Sequence, residues 1–317
     1  MNLMTTELTF PRLDALEAAA RSRGRLAVAV AYPCSIDALA AVVSAWQAGI
    51  IDPVLVGPRR RIAACASALQ VSIDGLRFVE ADDDPIVASR VAVALVGAGE
   101  ANALMKGSQH TDELLAAVLS RDANLRTSRR MSHVFWFDLP AYHKPLMVTD
   151  AVVNMSPSLK EKVDILTNAI EFSHAIGIAS PKIALLSAIE TVNPDLGSSV
   201  DAAALSKMAD RGQIGGAVID GPLAFDNAIS AASAATKGIS SPVAGEPDIL
   251  MVPGLDVGNV LYKSFIYMGR GECAGVVLGA RVPIILTSRS DSRRARIASC
   301  ALAQLSLPSS FGSGSPS

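Results

Sequence analysis

Aromatic residues are scarce, at 4% of the chain, and Ala, Val, Ile and Leu supply most of its apolar half. That composition suits buried parallel strands and closely packed helices. Cysteines are few and scattered: Cys34, Cys65, Cys273 and Cys300 form no CxxC pair and no Cys/His cluster of zinc spacing. They read as reduced core residues, and a cytoplasmic protein is expected. No charge of one sign dominates, with 28 basic and 30 acidic residues and a net charge of −2. No nucleic-acid or membrane partner is expected from that balance. The basic runs Arg59-Arg60-Arg61 and Arg293-Arg294 are short and read as solvated helix faces. No apolar run approaches the roughly 20 residues a membrane span needs. The longest such region, Leu26 to Ile50, is broken by Pro33, Asp37 and Gln47. The first residues lack a basic start followed by an apolar block, so no signal peptide is expected.

What is present is an alternation. Apolar runs of strand length, such as Arg25 to Ala31, Pro53 to Val56 and Lys182 to Leu186, take turns with segments of helical spacing. Examples of the latter are Arg59 to Leu69, Pro85 to Val96, and Leu159 onward to Gly177. Ser35 is placed to cap the helix that closes at Gly49. Strand-helix alternation predicts an α/β fold with parallel-type sheets covered by helices. The chain, at 317 residues, is long enough for two such lobes. The division expected is a first α/β lobe over residues 1–147 and a second over 148–288. Residues 289–305 return to the first lobe, and 306–317, rich in Ser, Gly and Pro, read as a disordered tail.

The chemistry centres on Pro283 to Ala303, PIILTSRSDSRRARIASCALA. A strand-length apolar run ends in Thr287, Ser288 and Arg289 follow, and a helix-like segment then begins. Helix N-termini present free N–H groups and a partial positive charge, and arginine adds a planar fork for phosphate oxygens. A second strand-to-helix loop carries Lys106 and Gly107, with Thr111 or Asp112 capping the next helix. It lacks the GxxxxGK[ST] spacing of a P-loop. Gly97-Ala98-Gly99 has Asn102 where a dinucleotide fingerprint needs a third glycine, which argues against NAD.

Several segments together resemble the phosphate acetyl/butyryltransferase family, and more closely its butyryl branch. They are Leu104 to Gly107 with Thr111, Leu125-Arg126-Thr127 with Ser132-His133, and Met208 to Ser230. Lys237 to Ile239, Pro242 to Gly245, Gly258-Asn259 with Tyr262-Lys263, and Pro283 to Ser292 complete the set. The resemblance implies a two-lobe α/β/α subunit, like that of isocitrate and isopropylmalate dehydrogenases, with an active site in the interdomain cleft. It implies a homodimer or larger homo-oligomer. The reaction implied is acyl-CoA plus phosphate giving acyl phosphate plus CoA, with a short acyl group and no metal or redox cofactor.

On that resemblance Ser288 would hydrogen-bond the reacting oxygen and Arg289 the phosphate; spacing alone equally allows an N-cap and a surface arginine. Lys106, Gly107, Thr111 and Arg126 would bind phosphate or CoA, though Arg126 could instead pair with a surface acid. Asn259 and Lys263, one helical turn apart, would share a face toward the cleft or brace a lobe. Asp220, Asp226 and Asn227 are turn and cap residues or substrate contacts. The four histidines, His110, His133, His143 and His174, have no metal-binding spacing and read as structural. The acetyl branch has an aspartate seven residues after the serine, and Ala295 stands there in this chain. Asp291 is the nearest carboxylate and Asp150 a second candidate base, and CoA deprotonation by local positive charge alone also stays open. Two other readings compete: a non-catalytic CoA- or nucleotide-binding protein of the same fold, and a decarboxylating dehydrogenase of similar architecture.

Overall fold

The computed structural model describes residues 8–286 and 291–308. The first part of the chain alternates as read: α1 (Pro11–Ser22), β1 (Leu26–Ala31), α2 (Ile36–Gln47), β2 (Ile51–Val56), α3 (Arg59–Leu69), β3 (Arg77–Val79), α4 (Pro85–Gly97), β4 (Ala103–Lys106) and α5 (Thr111–Leu119). Then come β5 (Ser132–Asp138), β6 (Leu146–Thr149), α6 (Leu159–Ala175), β7 (Lys182–Leu186), α7 (Gly197–Asp210), β8 (Val218–Leu223), α8 (Phe225–Ile229), α9 (Ala231–Thr236) and β9 (Ile249–Met251). The chain closes with α10 (Leu255–Tyr267), β10 (Glu272–Leu278), β11 (Ile284–Ile285) and α11 (Arg293–Leu305). Local chemistry sets the starts of several helices. The Ser35 hydroxyl accepts from Ala38 N at 3.3 Å, and Ser158 exchanges hydrogen bonds with Glu161 in a capping box.

Among the described residues the strands form one sheet, in the order β3-β2-β1-β4-β11-β10-β5-β6-β9-β7-β8. The expected α/β architecture with largely parallel pairing is found. The flanks β3-β2-β1-β4-β11 and β6-β9-β7-β8 are parallel throughout. The centre differs from expectation, because β11-β10, β10-β5 and β5-β6 are antiparallel. For β5-β6 and β10-β11 the reason is connection length; β10-β5 is a long-range pairing. Only residues 139–145 join β5 to β6 and only 279–283 join β10 to β11, whereas a parallel crossover takes a dozen residues or more.

Those three reversals orient the two flanks oppositely. One edge of the sheet carries the C-terminal ends of β1, β2, β4, β11 and β5. The other carries the ends of β10, β6, β9, β7 and β8, with the start of β5. Side chains alternate between faces, so Val134 and Trp136 join the core cluster beneath α1, α2, α6, α7 and α11. Phe137 lies on the opposite face with Phe135, Leu146 and the α10 residues Tyr262 and Phe265. A third cluster on that face holds α4 and α5 against β1, β2 and β4.

Three boundaries depart from the sequence reading. The strand expected over Leu146 to Val153 stops at Thr149, where Asp150 accepts from Val152 N and Val153 N and turns the chain. Neither Thr111 nor Asp112 caps α5: the cap position is His110, whose N–H donates to the Glu113 carboxylate at 2.8 Å. And α11 begins at Arg293, capped by Ser292, whose hydroxyl accepts from Ala295 N at 2.9 Å. The serine that starts this helix is therefore Ser292, four residues after Ser288.

Candidate active site

Ser288 and Arg289 lie outside the described residues, but the strand that leads to them is fixed. Within the sheet, β11 runs parallel to β4 with Ile284 beside Leu104 and Ile285 beside Met105. Lys106 follows Met105 and Leu286 follows Ile285, so the two strand ends leave the same edge side by side. The Lys106 loop is folded tightly onto the end of β1. Gly107 N donates to Ala31 O at 2.9 Å and to Gln109 Oε1 at 3.0 Å, and Ser108 N donates to Tyr32 O at 2.9 Å. The Lys106 ammonium donates to the carbonyl oxygens of Gly107 and Gln109 at 3.3 and 3.1 Å. Thr111, half-buried, is the first residue of α5 directly beyond this loop.

Asp291 arrives at the same edge from the far side of β11. The Tyr262 hydroxyl points to its carboxylate from α10 at 3.5 Å. Tyr262 stacks flat on Phe135, with centroids 4.3 Å apart. Burial raises the Tyr262 hydroxyl's pKa above its usual value, so the phenol stays protonated and able to donate. Next along, the Ser292 hydroxyl donates to Glu272 at 2.8 Å, tying the start of α11 to the start of β10. Tyr262 and Glu272 were not singled out as side chains holding this loop. Tyr262 carried a signal, standing between Asn259 and Lys263, but nothing in Glu272's surroundings marked it.

On α10, Gly258 packs where a Cβ would strike Ala151, while Asn259 is half-buried and Lys263 exposed. The helix thus crosses the face from the turn after β6 toward Phe137, and Lys263 neighbours the residue that meets Asp291. Ala295 is buried in α11, which packs on β10, so the position of the acetyl-branch aspartate is a core site here.

Arg126 is not brought to this edge. Helix α5 runs back across the sheet, and Arg126 comes after it at the opposite edge, bridging Ala280. Asp150, the second candidate base, is also there. Its carboxylate accepts from Val152 N, Val153 N and Asn154 Nδ2 at 2.9, 3.0 and 2.6 Å, and burial raises its pKa. Between the edges His133 is 1% exposed, its Nδ1 has no hydrogen-bond partner among the described residues, and burial lowers its pKa to about 3. Asp220, Asp226 and Asn227 are held by hydrogen bonds, and Asn227 donates to Glu190 at 3.3 Å. Asp220 Oδ1 accepts from Gly221 N, and Ser233 donates to Asp226 at 2.6 Å and to Asn227 at 3.0 Å. Among the described residues no group of three or more His, Cys, Asp or Glu side chains could hold a metal ion.

The family model for phosphate acetyl/butaryl transferase matches residues 86–304, more than half of the chain. The chain belongs to this family. It is 47% identical over 294 residues to a phosphate acetyltransferase of Rhizobium meliloti, covering 93% of both chains. It is 41% identical to a phosphate butyryltransferase of Clostridium acetobutylicum, covering 90% of this chain and 94% of that one. Among solved structures, a branched-chain phosphotransacylase from Enterococcus faecalis V583 superposes with a TM-score of 0.77 at 32% identity, over 89% of this chain and 98% of the other. The fold extends further: a 4-hydroxythreonine-4-phosphate dehydrogenase from Klebsiella pneumoniae shares it at TM-score 0.53 and 14% identity, over 89% and 100% of the two chains.

Proposed function

We infer that this chain moves a short acyl group between CoA and inorganic phosphate. The observation that carries the reading is the family match over residues 86–304, in a chain that covers more than nine-tenths of a full-length acetyltransferase relative. In the reaction a phosphate oxygen attacks the thioester carbonyl carbon, a C–O bond forms, the C–S bond breaks and CoA leaves as thiolate. The reverse direction needs that thiolate from a thiol whose ordinary pKa is about 8.5. Charge builds on the carbonyl oxygen in between, so preorganised donors there supply most of the acceleration. We assign Ser288 to that oxygen and Arg289 with Lys106 to phosphate. Gly107 holds the Lys106 loop on β1, and Thr111, Asn259 and Lys263 complete substrate binding. Asp291 is the proposed base for the CoA thiol.

The acyl group proposed is acetyl, butyryl or a branched chain of similar size. The motifs favour the butyryl branch, while identity is higher to the relative named an acetyltransferase. We further propose a division into two lobes, residues 1–147 with 289–305, and 148–288. We also propose a cytoplasmic enzyme that forms a homodimer or larger homo-oligomer. The cysteines are free. Among the described residues no helix is long and apolar enough to cross a membrane. Helix α10 and the residue after it expose Val257, Val260, Tyr267 and Met268 at spacings of three, seven and one, which suits an apolar contact between copies. Sedimentation as a monomer at micromolar concentration would remove that last proposal.

The test of function is phosphate-dependent release of CoA thiol from acetyl-, propionyl-, butyryl- and isobutyryl-CoA, with Ser288→Ala and Arg289→Ala alongside. Release with a clear optimum, lost in both variants, is expected. Buried Ala295 favours one alternative, a CoA-binding protein without catalysis. CoA binding with no release on any acyl-CoA would establish that alternative instead.

A further inference from the structure

Helix α11 begins where the loop of Ser288 and Arg289 ends, and its first turn is tied down on two sides. On one side the Ser292 hydroxyl accepts from Ala295 N at 2.9 Å and donates to the Glu272 carboxylate at 2.8 Å. One hydroxyl therefore caps the helix and fastens it to the first residue of β10. On the other side Arg294 is ion-paired to Asp14, donates to Phe10 O at 3.3 Å and stands over the Phe10 ring, 5.5 Å from its centroid. Phe10 and Asp14 belong to the start of α1, which packs along α11.

Glu272 stands directly opposite Asp138 in the antiparallel pair of β10 and β5, so both carboxylates leave the sheet on the face that α1 and α11 cover. Like charges so placed repel unless each is answered. Asp138, 2% exposed, accepts from Arg12 N at 2.9 Å, from Leu13 N at 3.3 Å and from the Arg12 guanidinium at 2.8 Å. It is committed to the start of α1. Glu272 is half-buried and forms no ion pair among the described residues; its short hydrogen bond comes from the uncharged Ser292 hydroxyl. A charged acceptor beside a capping hydroxyl fixes which way that hydroxyl turns, its proton to Glu272 and a lone pair to Ala295 N. Ser292 follows Asp291, so the direction of the cap sets where Asp291 leaves the main chain. The Asp291 carboxylate is met at 3.5 Å by the hydroxyl of Tyr262, which is stacked on Phe135 of β5. Main chain and side chain of Asp291 are thus referred back to the same two central strands.

We propose that Glu272 is a positioning residue for acyl transfer: acting through Ser292, it holds the start of α11 in the register that presents Asp291 to the thiol of CoA. This rests on the acyltransferase reading and on Asp291 as the group that takes the thiol proton. Anchoring the helix as such does not need Glu272. The cap to Ala295 N, the Arg294 ties and the packing of α11 on β10 remain when its carboxylate is removed. What is lost is the direction of the first turn, and a misplacement of about an ångström costs about a hundredfold in rate.

The test is kinetic. Glu272→Ala is expected to lower kcat in the acyl phosphate plus CoA direction by about tenfold to a hundredfold, with both KM values within about twofold of the unmutated chain. Glu272→Gln still offers the Ser292 hydroxyl an acceptor and should recover most of the rate. Glu272→Asp, one methylene short of Ser292, should not, and it carries the test if Glu272→Ala does not fold. Because the effect runs through Ser292, adding Glu272→Ala to Ser292→Ala should cost nothing further in kcat. A Glu272→Ala or Glu272→Asp protein that loses stability in urea unfolding yet keeps its kcat would make the bond to Ser292 structural only and overturn the proposal. Losses in kcat that multiply in the double variant would overturn it too, since Glu272 would then act by another route. An unmutated chain that transfers no acyl group sinks the acyltransferase reading and this proposal together. An active chain indifferent to Glu272 sinks this proposal alone.

Discussion

A Cβ at Gly107 would run into the carbonyl oxygens of Ala31 and Tyr32, so the loop that carries Lys106 lies against the end of β1 with no room for a side chain. The obstacle is backbone, which cannot rotate aside. Gly107→Ala must therefore lift the loop and stretch the bonds from Gly107 N to Ala31 O and from Ser108 N to Tyr32 O. A loss of about 1–3 kcal/mol in stability is expected from the overpacking. Displacing Lys106 by as little as an ångström should cost about a hundredfold in kcat/KM. Urea unfolding and steady-state assays read the two effects separately. A variant with unchanged kcat/KM would remove Lys106 from the site.

Asp291 meets the Tyr262 hydroxyl, and its role as base is open to a direct check. Asp291→Asn keeps the size and loses the proton acceptor. If Asp291 takes the thiol proton, kcat in the CoA-consuming direction should fall by about 10²–10⁴. Tyr262→Phe should cost less, because the phenol only orients the carboxylate across a long 3.5 Å contact. Near-normal turnover of Asp291→Asn would take this residue out of the mechanism and leave local positive charge, since Asp150 lies at the opposite edge.

His133 is held neutral by burial, its pKa lowered to about 3 from 6.5. The unfolded chain therefore binds a proton near pH 6.5 that the folded chain refuses until about pH 3. Stability from this group is complete above pH 6.5 and is lost as the pH falls through that window, by up to about 1.4 kcal/mol per pH unit. Asp150, whose pKa is raised by burial, acts in the opposite sense, so the useful quantity is a difference. His133→Gln should flatten the acid limb of the stability curve relative to the unmutated chain. Parallel limbs between pH 6.5 and 4 would mean that the imidazole titrates alike in the folded and unfolded chain.

Between α6 and α7, Lys162 is 6% exposed at its side chain and reaches Asp201 at 2.6 Å. Removing the acid strands a buried cation, whereas removing the lysine leaves an aspartate that is 30% exposed and can be hydrated. Asp201→Ala is expected to lose about 3 kcal/mol, and Lys162→Met much less. Equal losses in urea unfolding would contradict this asymmetry.

Much of the candidate site could be read in the residues. Lys106 and Gly107 between strand and helix, and an apolar run leading to Ser288, are local patterns. That the ends of β4 and β11 share one sheet edge follows from parallel pairing, which alternation predicts. The Arg126 position was not legible in the same way. Nothing in Leu125-Arg126-Thr127 says that α5 carries the chain back across the sheet and leaves this arginine at the edge opposite Lys106. Nor did the sequence reveal that Ser292 starts α11, since four serines between 288 and 299 compete for that role. The hydroxyl that wins is the one that can also donate to Glu272.

By itself the sequence determined the elements, their order, the parallel flanks and the family, because periodicity, caps and strand-end motifs act over a few residues. Tertiary structure alone decided the antiparallel centre, the opposed directions of the flanks and the placing of Lys106 and Arg126 at opposite edges. Short connections forced two of the three reversals, the long-range pairing of β10 with β5 made the third, and together they set which strand ends share an edge. Pairing between residues such as Asp138 and Glu272 spans more than a hundred positions, and local propensity carries no record of a partner that far away.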